Sequence, residues 1–168
     1  MECPQNLYLG NLILALSIVA WAVAQLLKIP TWLLTKKKLD WSRVWESGGM
    51  PSSHSAFVCA CAAATGNLCG FSSAIFAVVV VLAIVVMYDA ANVRRAAGEH
   101  AKILNYIIEN WDDDQPEEDT DERPEVFGSK ELKEFLGHSP AQVVVGAALG
   151  IAVGLIGTFI AKGWPLPQ

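Results

Sequence analysis

A chain of 168 residues is enough for one domain. Its 53% hydrophobic content and mean hydropathy of +0.37 lie above the ordinary soluble range and point to the membrane class. The formal charge of −5 misleads, because nine of the 17 acidic residues fall within residues 112–125 beside Arg123; that segment carries −8 and the remainder +3. No basic face is interleaved with aromatic residues, which excludes a nucleic-acid partner.

Taken in chain order, the N-terminus lacks the basic region of a signal peptide, so its apolar stretch is read as a retained membrane span over about residues 7–27. The run Thr31-Trp32-Leu33-Leu34-Thr35, followed by three lysines, predicts an interfacial segment in the headgroup region. A second span, rich in Ala, Cys and Ser, is expected over residues 52–69, and a strongly apolar third over 71–88. Residues 92–111 predict a continuing amphipathic helix with Ile103, Ile107 and Ile108 near one face. The acidic segment at 112–125 has no apolar periodicity and reads as a flexible solvated loop. A short helical turn over 131–136 leads to the fourth span, about 141–161. Each span approaches the roughly 20 residues a bilayer requires. The expected fold is all-α: one membrane domain over residues 1–168, an integral-membrane bundle of four transmembrane helices plus interfacial helices.

The basic residues support an even number of spans. Lys28, Lys36, Lys37, Lys38 and Arg43 follow the first span, and Arg94, Arg95, Lys102, Arg123, Lys130 and Lys133 follow the third. The positive-inside rule puts both groups on the cytoplasmic (or stromal) side and both termini outside. Gly146, Gly150 and Gly154 form a small-residue stripe on the fourth span, suited to close packing within the bundle or to a homo-oligomer. The cysteines, with Cys59 and Cys61 about 200° apart on a helix, predict neither a disulfide framework nor a zinc site.

The most informative segment is Gly49-Met50-Pro51-Ser52-Ser53-His54-Ser55-Ala56. It opens an apolar helix with a proline suited to the first turn, hydroxyl groups and a histidine. Free N–H groups and the helix dipole make such a turn an anion site, and His54 adds a group able to carry a proton near neutral pH. On the four-span topology Gln25, Lys28, the Ser52-Ser53-His54-Ser55 turn, Asp89, Arg94, Arg95 and His138 share one membrane face. Asp89 ends a strongly apolar span, which makes it a functional candidate paired with a nearby arginine or used in the site. The set matches phosphoryl transfer: cations neutralise phosphate oxygens, one histidine attacks phosphorus, the other protonates the leaving oxygen, and a carboxylate orients the first ring. Neither a metal nor another cofactor is called for by this set.

At these residues the chain resembles the type 2 phosphatidic acid phosphatase and vanadium haloperoxidase superfamily, and more closely its small divergent bacterial and plastid branch. The resemblance is carried by Ala24-Gln25-Leu26-Leu27-Lys28, Lys38-Leu39-Asp40-Trp41, Gly48-Gly49-Met50-Pro51-Ser52-Ser53-His54-Ser55-Ala56, Met87-Tyr88-Asp89-Ala90, Val93-Arg94-Arg95-Ala96-Ala97-Gly98 and Leu136-Gly137-His138-Ser139-Pro140. It implies His138 as nucleophile and His54 as leaving-group acid. Gly49, Ser52, Ser53 and Lys28 fall to the phosphate cradle, with Gln25 and Ser55 in support. The chain departs from the pattern at several points: Ser53 stands where the superfamily's turn has glycine, Gln142 where its last motif has aspartate, Leu132 where that motif has arginine and Asn92 where the branch has glycine, and the first basic motif, a lysine followed at distance by Arg-Pro, is not present in its usual form. Asp89, Arg94 and Arg95 are the residues expected to fill those gaps. The expected function is a lipid-phosphate phosphatase acting on a prenyl phosphate or diphosphate, or on phosphatidate, through a phosphohistidine in a bacterial inner or plastid membrane. The alternative is a non-catalytic protein that binds or moves an anionic lipid with the same cradle.

Overall fold

A computed structural model of the protein describes residues 11–37, 49–110, 132 and 137–163. The acidic segment at 112–125, the start of the first predicted span and all of the predicted turn at 131–136 except Leu132 lie outside them. Within the described residues every regular element is helical: α1 (Leu12–Lys36), α2 (Ser53–Cys69), α3 (Ala74–Tyr88), a π-helical turn (Asp89–Val93), α4 (Arg94–Asn110) and α5 (Pro140–Gly163).

Local chemistry sets the helix ends. Asn11 caps α1 by accepting from the Leu14 N–H at 3.1 Å, and Ser73 caps α3 by accepting from Phe76. The segment read as interfacial, from Thr31, continues α1 through Pro30 up to Lys37, whose left-handed conformation (φ 53°) ends the helix with its N–H on the Leu33 carbonyl. Thr31 ties this last turn to the Met50 carbonyl, 2.6 Å from its hydroxyl. Pro51 is not in the first turn of α2 as predicted: it follows a cis peptide bond, and Ser52 beyond it is the cap.

Among the described residues three stretches are long and apolar enough to cross a bilayer: Leu12–Leu34, Ala74–Ile108 and Pro140–Lys162. The predicted second span is not among them. At 17 residues, α2 is about 25 Å long, against about 30 Å of hydrocarbon. Its position explains its composition. Eleven of its residues are buried, whereas α3 buries only Ala83. Thus α2 is the central helix, enclosed by α1, α3 and α5, and its small residues face protein rather than lipid.

The glycine stripe of α5 is spent on this packing. A Cβ at Gly146 would overlap the Ser52 carbonyl, one at Gly150 the Ala56 carbonyl, and one at Gly154 would lie 2.7 Å from the Ala60 carbonyl. The register advances by four on both helices, so α2 and α5 run parallel with their N-termini side by side. Of the two readings of Gly146, Gly150 and Gly154, packing within the bundle is the one seen: this face is covered by α2. On the far side of α2, Ala20 and Ala24 of α1 meet Ala56 and Ala60. Cys59 approaches Met87 of α3, Sγ to Sδ 3.7 Å.

Cys59 and Cys61 are free thiols, but Cys69 at the opposite end of α2 is disulfide-bonded, contrary to the expectation of unpaired cysteines. Beyond the π-turn, α4 buries Gly98, Ala101 and Asn105 and exposes Ile103, Leu104, Ile107 and Ile108. The Asn105 amide donates to the Leu132 carbonyl and accepts from its N–H, both at 3.0 Å.

Candidate functional site

Parallel packing of α2 and α5 brings two helix N-termini together, and the histidines sit at them. Ser52 caps α2: its hydroxyl oxygen accepts from the Ser55 N–H at 3.3 Å and from the Ser55 hydroxyl at 3.1 Å. Ser139 caps α5 in a reciprocal box with Gln142. The Gln142 N–H donates to the Ser139 hydroxyl at 3.4 Å, and the Ser139 N–H donates to Gln142 Oε1 at 3.0 Å. The two caps are joined by the Ser52 N–H, which donates to the Gln142 carbonyl at 3.0 Å. His54 follows the first cap by two residues and His138 precedes the second by one. Their rings meet edge to face with centroids 5.8 Å apart.

His138 is 2% exposed and is held from several directions. Its N–H donates to the Ala90 carbonyl in the π-turn at 2.9 Å. The preceding Gly137 (φ +90°) lies so close to the backbone of Arg94 and Arg95 that a Cβ would overlap it, so this crossing requires glycine. The ring's Nδ1 is 3.3 Å from Gln142 Oε1. Burial pushes the ring's pKa down to about 4; the Gln142 hydrogen bond opposes this, the charges of His54 and Lys28 reinforce it, and the Gly49 backbone opposes it.

Lys28 reaches the same place from α1. It is 2% exposed, and its stem runs alongside Gly49, where a Cβ would be 3.7 Å from Lys28 Cγ and Cδ. Gly49 itself has φ +98°, a conformation that favours glycine. The charges of Arg94, Lys28 and Asp89 are all close enough to act on His54. Among the described residues three buried polar atoms at this end have no hydrogen-bond partner: Gln25 Oε1, His54 Nδ1 and His138 Nε2. Buried polar atoms are usually satisfied, so three unspent ones beside cations make this end the candidate site.

Two predicted site residues stand differently. Asp89 was expected to orient a histidine, but its Oδ2 accepts from Arg94 Nε at 2.7 Å; the residue on His138 is Gln142. Arg95 donates to Glu99 at 3.1 Å on an exposed face of α4 and is not brought to the rings. Ser52 and Ser55 are buried and engaged in the cap, and Ser53 is buried beside them. The residue that sequence reasoning undervalued is Gln142. Its signal was the Ser-x-x-Gln pattern of Ser139 to Gln142, a capping box one residue after a histidine. Among the described residues no three His, Cys, Asp or Glu side chains gather as metal ligands. The arrangement offers two imidazoles, buried or paired cations and two helix N-termini, which together can receive an anion and move a proton.

This is an integral membrane protein of helical-bundle architecture with a paired-histidine site at one end of its core. It belongs to the Divergent PAP2 family, whose pattern matches residues 9–153. The chain is 40% identical over 149 residues to the uncharacterized membrane protein YuiD of Bacillus subtilis (strain 168), covering 88% of this chain and 94% of that protein. No solved structure matches.

Proposed function

We propose that the protein is a lipid-phosphate phosphatase of the membrane, acting on a prenyl phosphate or diphosphate or on phosphatidate through a phosphohistidine. The observation that carries this reading is the pairing of His54 and His138, 5.8 Å between ring centroids, at two adjacent helix N-termini beside the buried Lys28. The family membership agrees with it. In the proposed cycle His138 Nε2 attacks phosphorus and the phosphorus–oxygen bond to the leaving group breaks, an ester bond in a monophosphate or phosphatidate and an anhydride bond in a diphosphate. His54 gives its proton to the leaving oxygen. Water then attacks the phosphohistidine, His54 takes up the water's proton, the phosphorus–nitrogen bond breaks and phosphate leaves. Lys28, Arg94 and the N–H groups opening α2 offset the phosphate charge.

We place α2 across the membrane as a fourth, protein-enclosed crossing. Its antiparallel relation to α1 and α3 and its parallel relation to α5 support this. The site then lies on the basic, cytoplasmic side by the positive-inside rule.

The second reading, an anionic-lipid binder or carrier without hydrolysis, is favoured by the Asp89–Arg94 pair, which occupies the carboxylate that a catalytic histidine would otherwise use. Phosphate release from a panel of prenyl and glycerolipid phosphates, with purified protein in detergent, separates the two. Release by the wild type that is lost in His54→Ala and in His138→Ala supports the phosphatase. Lipid-phosphate binding without release from any member of the panel overturns it in favour of the carrier.

A further inference from the structure

The atoms around Gln142 determine more than a helix cap. Amide oxygen and nitrogen are told apart by their partners, and here the partner is decisive: the Ser139 backbone N–H, 3.0 Å away, can only donate. The atom facing it is therefore the oxygen. That same oxygen faces His138 Nδ1 at 3.3 Å, and an oxygen without a proton can only accept. The proton of a neutral His138 then belongs on Nδ1, which leaves a lone pair on Nε2. Nε2 is the buried atom that has no hydrogen-bond partner.

We infer that Gln142 is a positioning residue that selects the tautomer of His138, holding its proton on Nδ1 and keeping the Nε2 lone pair free. The consequence for catalysis rests on the reading of His138 as the nucleophile; the tautomer itself does not. A carboxylate at this position would favour the charged ring through its own charge as well, whereas the neutral amide favours it only through its hydrogen bond, and burial outweighs that. The charges that bear on the ring reinforce the neutral form. They are His54 from α2 and Lys28 from α1, while the Asp89–Arg94 pair of the π-turn lies beside His54. The Gly49 backbone also acts on the ring, in the opposite sense to those charges.

The chain has three histidines, so imidazole nitrogen NMR on protein labelled with nitrogen-15 histidine resolves them in detergent, with His100→Gln and His54→Gln used to assign His138. The wild type at neutral pH is expected to show His138 protonated at Nδ1 alone. Gln142→Leu is expected to lose this preference and to lower the kcat for phosphate release by about 10²–10⁴-fold with KM little changed. Gln142→Glu keeps the acceptor and is expected to raise the ring's pKa by about 1–3 units, moving the acid limb of the pH–rate profile with it. Ser139→Ala weakens the same cap but leaves the oxygen on Nδ1, so the tautomer is expected to persist. A wild-type ring protonated at Nε2 overturns the inference, as does a Gln142→Leu ring unchanged from wild type. If Gln142→Leu fails to fold, Gln142→Glu decides, and an unmoved pKa there overturns it. An Nδ1–H ring in a protein that releases no phosphate would leave this inference standing and remove the phosphatase.

Discussion

The two ends of the α2–α5 pair are built from the same helices but treat polar groups in opposite ways. At the far end Asn67 donates to the Thr158 hydroxyl at 2.5 Å, and that hydroxyl lies 2.8 Å from the Gly154 carbonyl. Lys162 reaches across to the Asn67 carbonyl and side-chain oxygen at 2.8 and 3.1 Å. Polar groups there satisfy one another. At the near end the caps are equally complete, yet among the described residues Gln25, His54 and His138 each keep a buried atom without a partner. Unsatisfied buried groups cost free energy, and the capacity left open at one end of an otherwise satisfied interface is the ground for proposing it as the working end.

The largest effect that tests this contrast falls on catalysis. His138→Ala is expected to reduce phosphate release to background, and His54→Ala to reduce it by about 10²–10⁴-fold. Neither should change the folded population measured by size-exclusion profile and helical circular dichroism. Full activity in either variant would make the near end a structural oddity.

Next in size is the seam that holds both ends in register. Gly150→Val places side-chain atoms where the Ala56 carbonyl stands, and backbone cannot yield as a flexible side chain can. A loss of about 1–3 kcal/mol or more is expected, read as a lowered Tm in detergent together with loss of activity. A variant of undiminished Tm would show that α2 and α5 are not packed backbone to backbone.

That seam also marks how far the sequence could be read. Apolar length revealed α1, α3 and α5, because lipid-facing helices must carry their hydropathy on the outside. It undersold α2, since a helix enclosed by protein is selected for small size, and Ala56, Ala60 and Ala64 satisfy that without high hydropathy. The glycine stripe was visible, but its partner was not: spacing states that a close neighbour exists, not which one. The histidines were legible from their motifs and from a shared membrane level. The partner of Asp89 was ambiguous because Arg94 and a histidine are equally plausible in one dimension, and only the π-turn's geometry gives the carboxylate to Arg94. Gln142 was visible as a departure from the pattern; its contact with His138 required the fold of the cap.

A smaller, graded effect is expected from pH. His138 titrates at about 4 in the fold against an ordinary value of 6.5, so the unfolded chain takes up its proton first as pH falls. The linked stability is fully present above about 6.5 and is lost as pH falls toward and through about 4. Tm measured across that window should therefore decline, and His138→Gln should flatten the decline. An equal slope in the variant would assign the dependence to other groups. Near pH 6 the His138 ring is still neutral, so under the proposed mechanism any loss of phosphate release there comes from a group other than His138.

The smallest effect belongs to the far end. Asn67→Ala removes the bond to Thr158 and one of the oxygens that Lys162 contacts, but Thr158 still reaches the Gly154 carbonyl and Lys162 still reaches the backbone of residue 67. Hydrogen bonds between membrane helices are worth about 0.6 kcal/mol on average, so a loss of about that size is expected, with kcat unchanged. The result sharpens the comparison because the substitution alters a polar contact between the same two helices as the site does, at the opposite end. If Asn67→Ala instead lowered kcat while Tm held, the two ends would be coupled through α2, and the division into a satisfied end and a working end would fail.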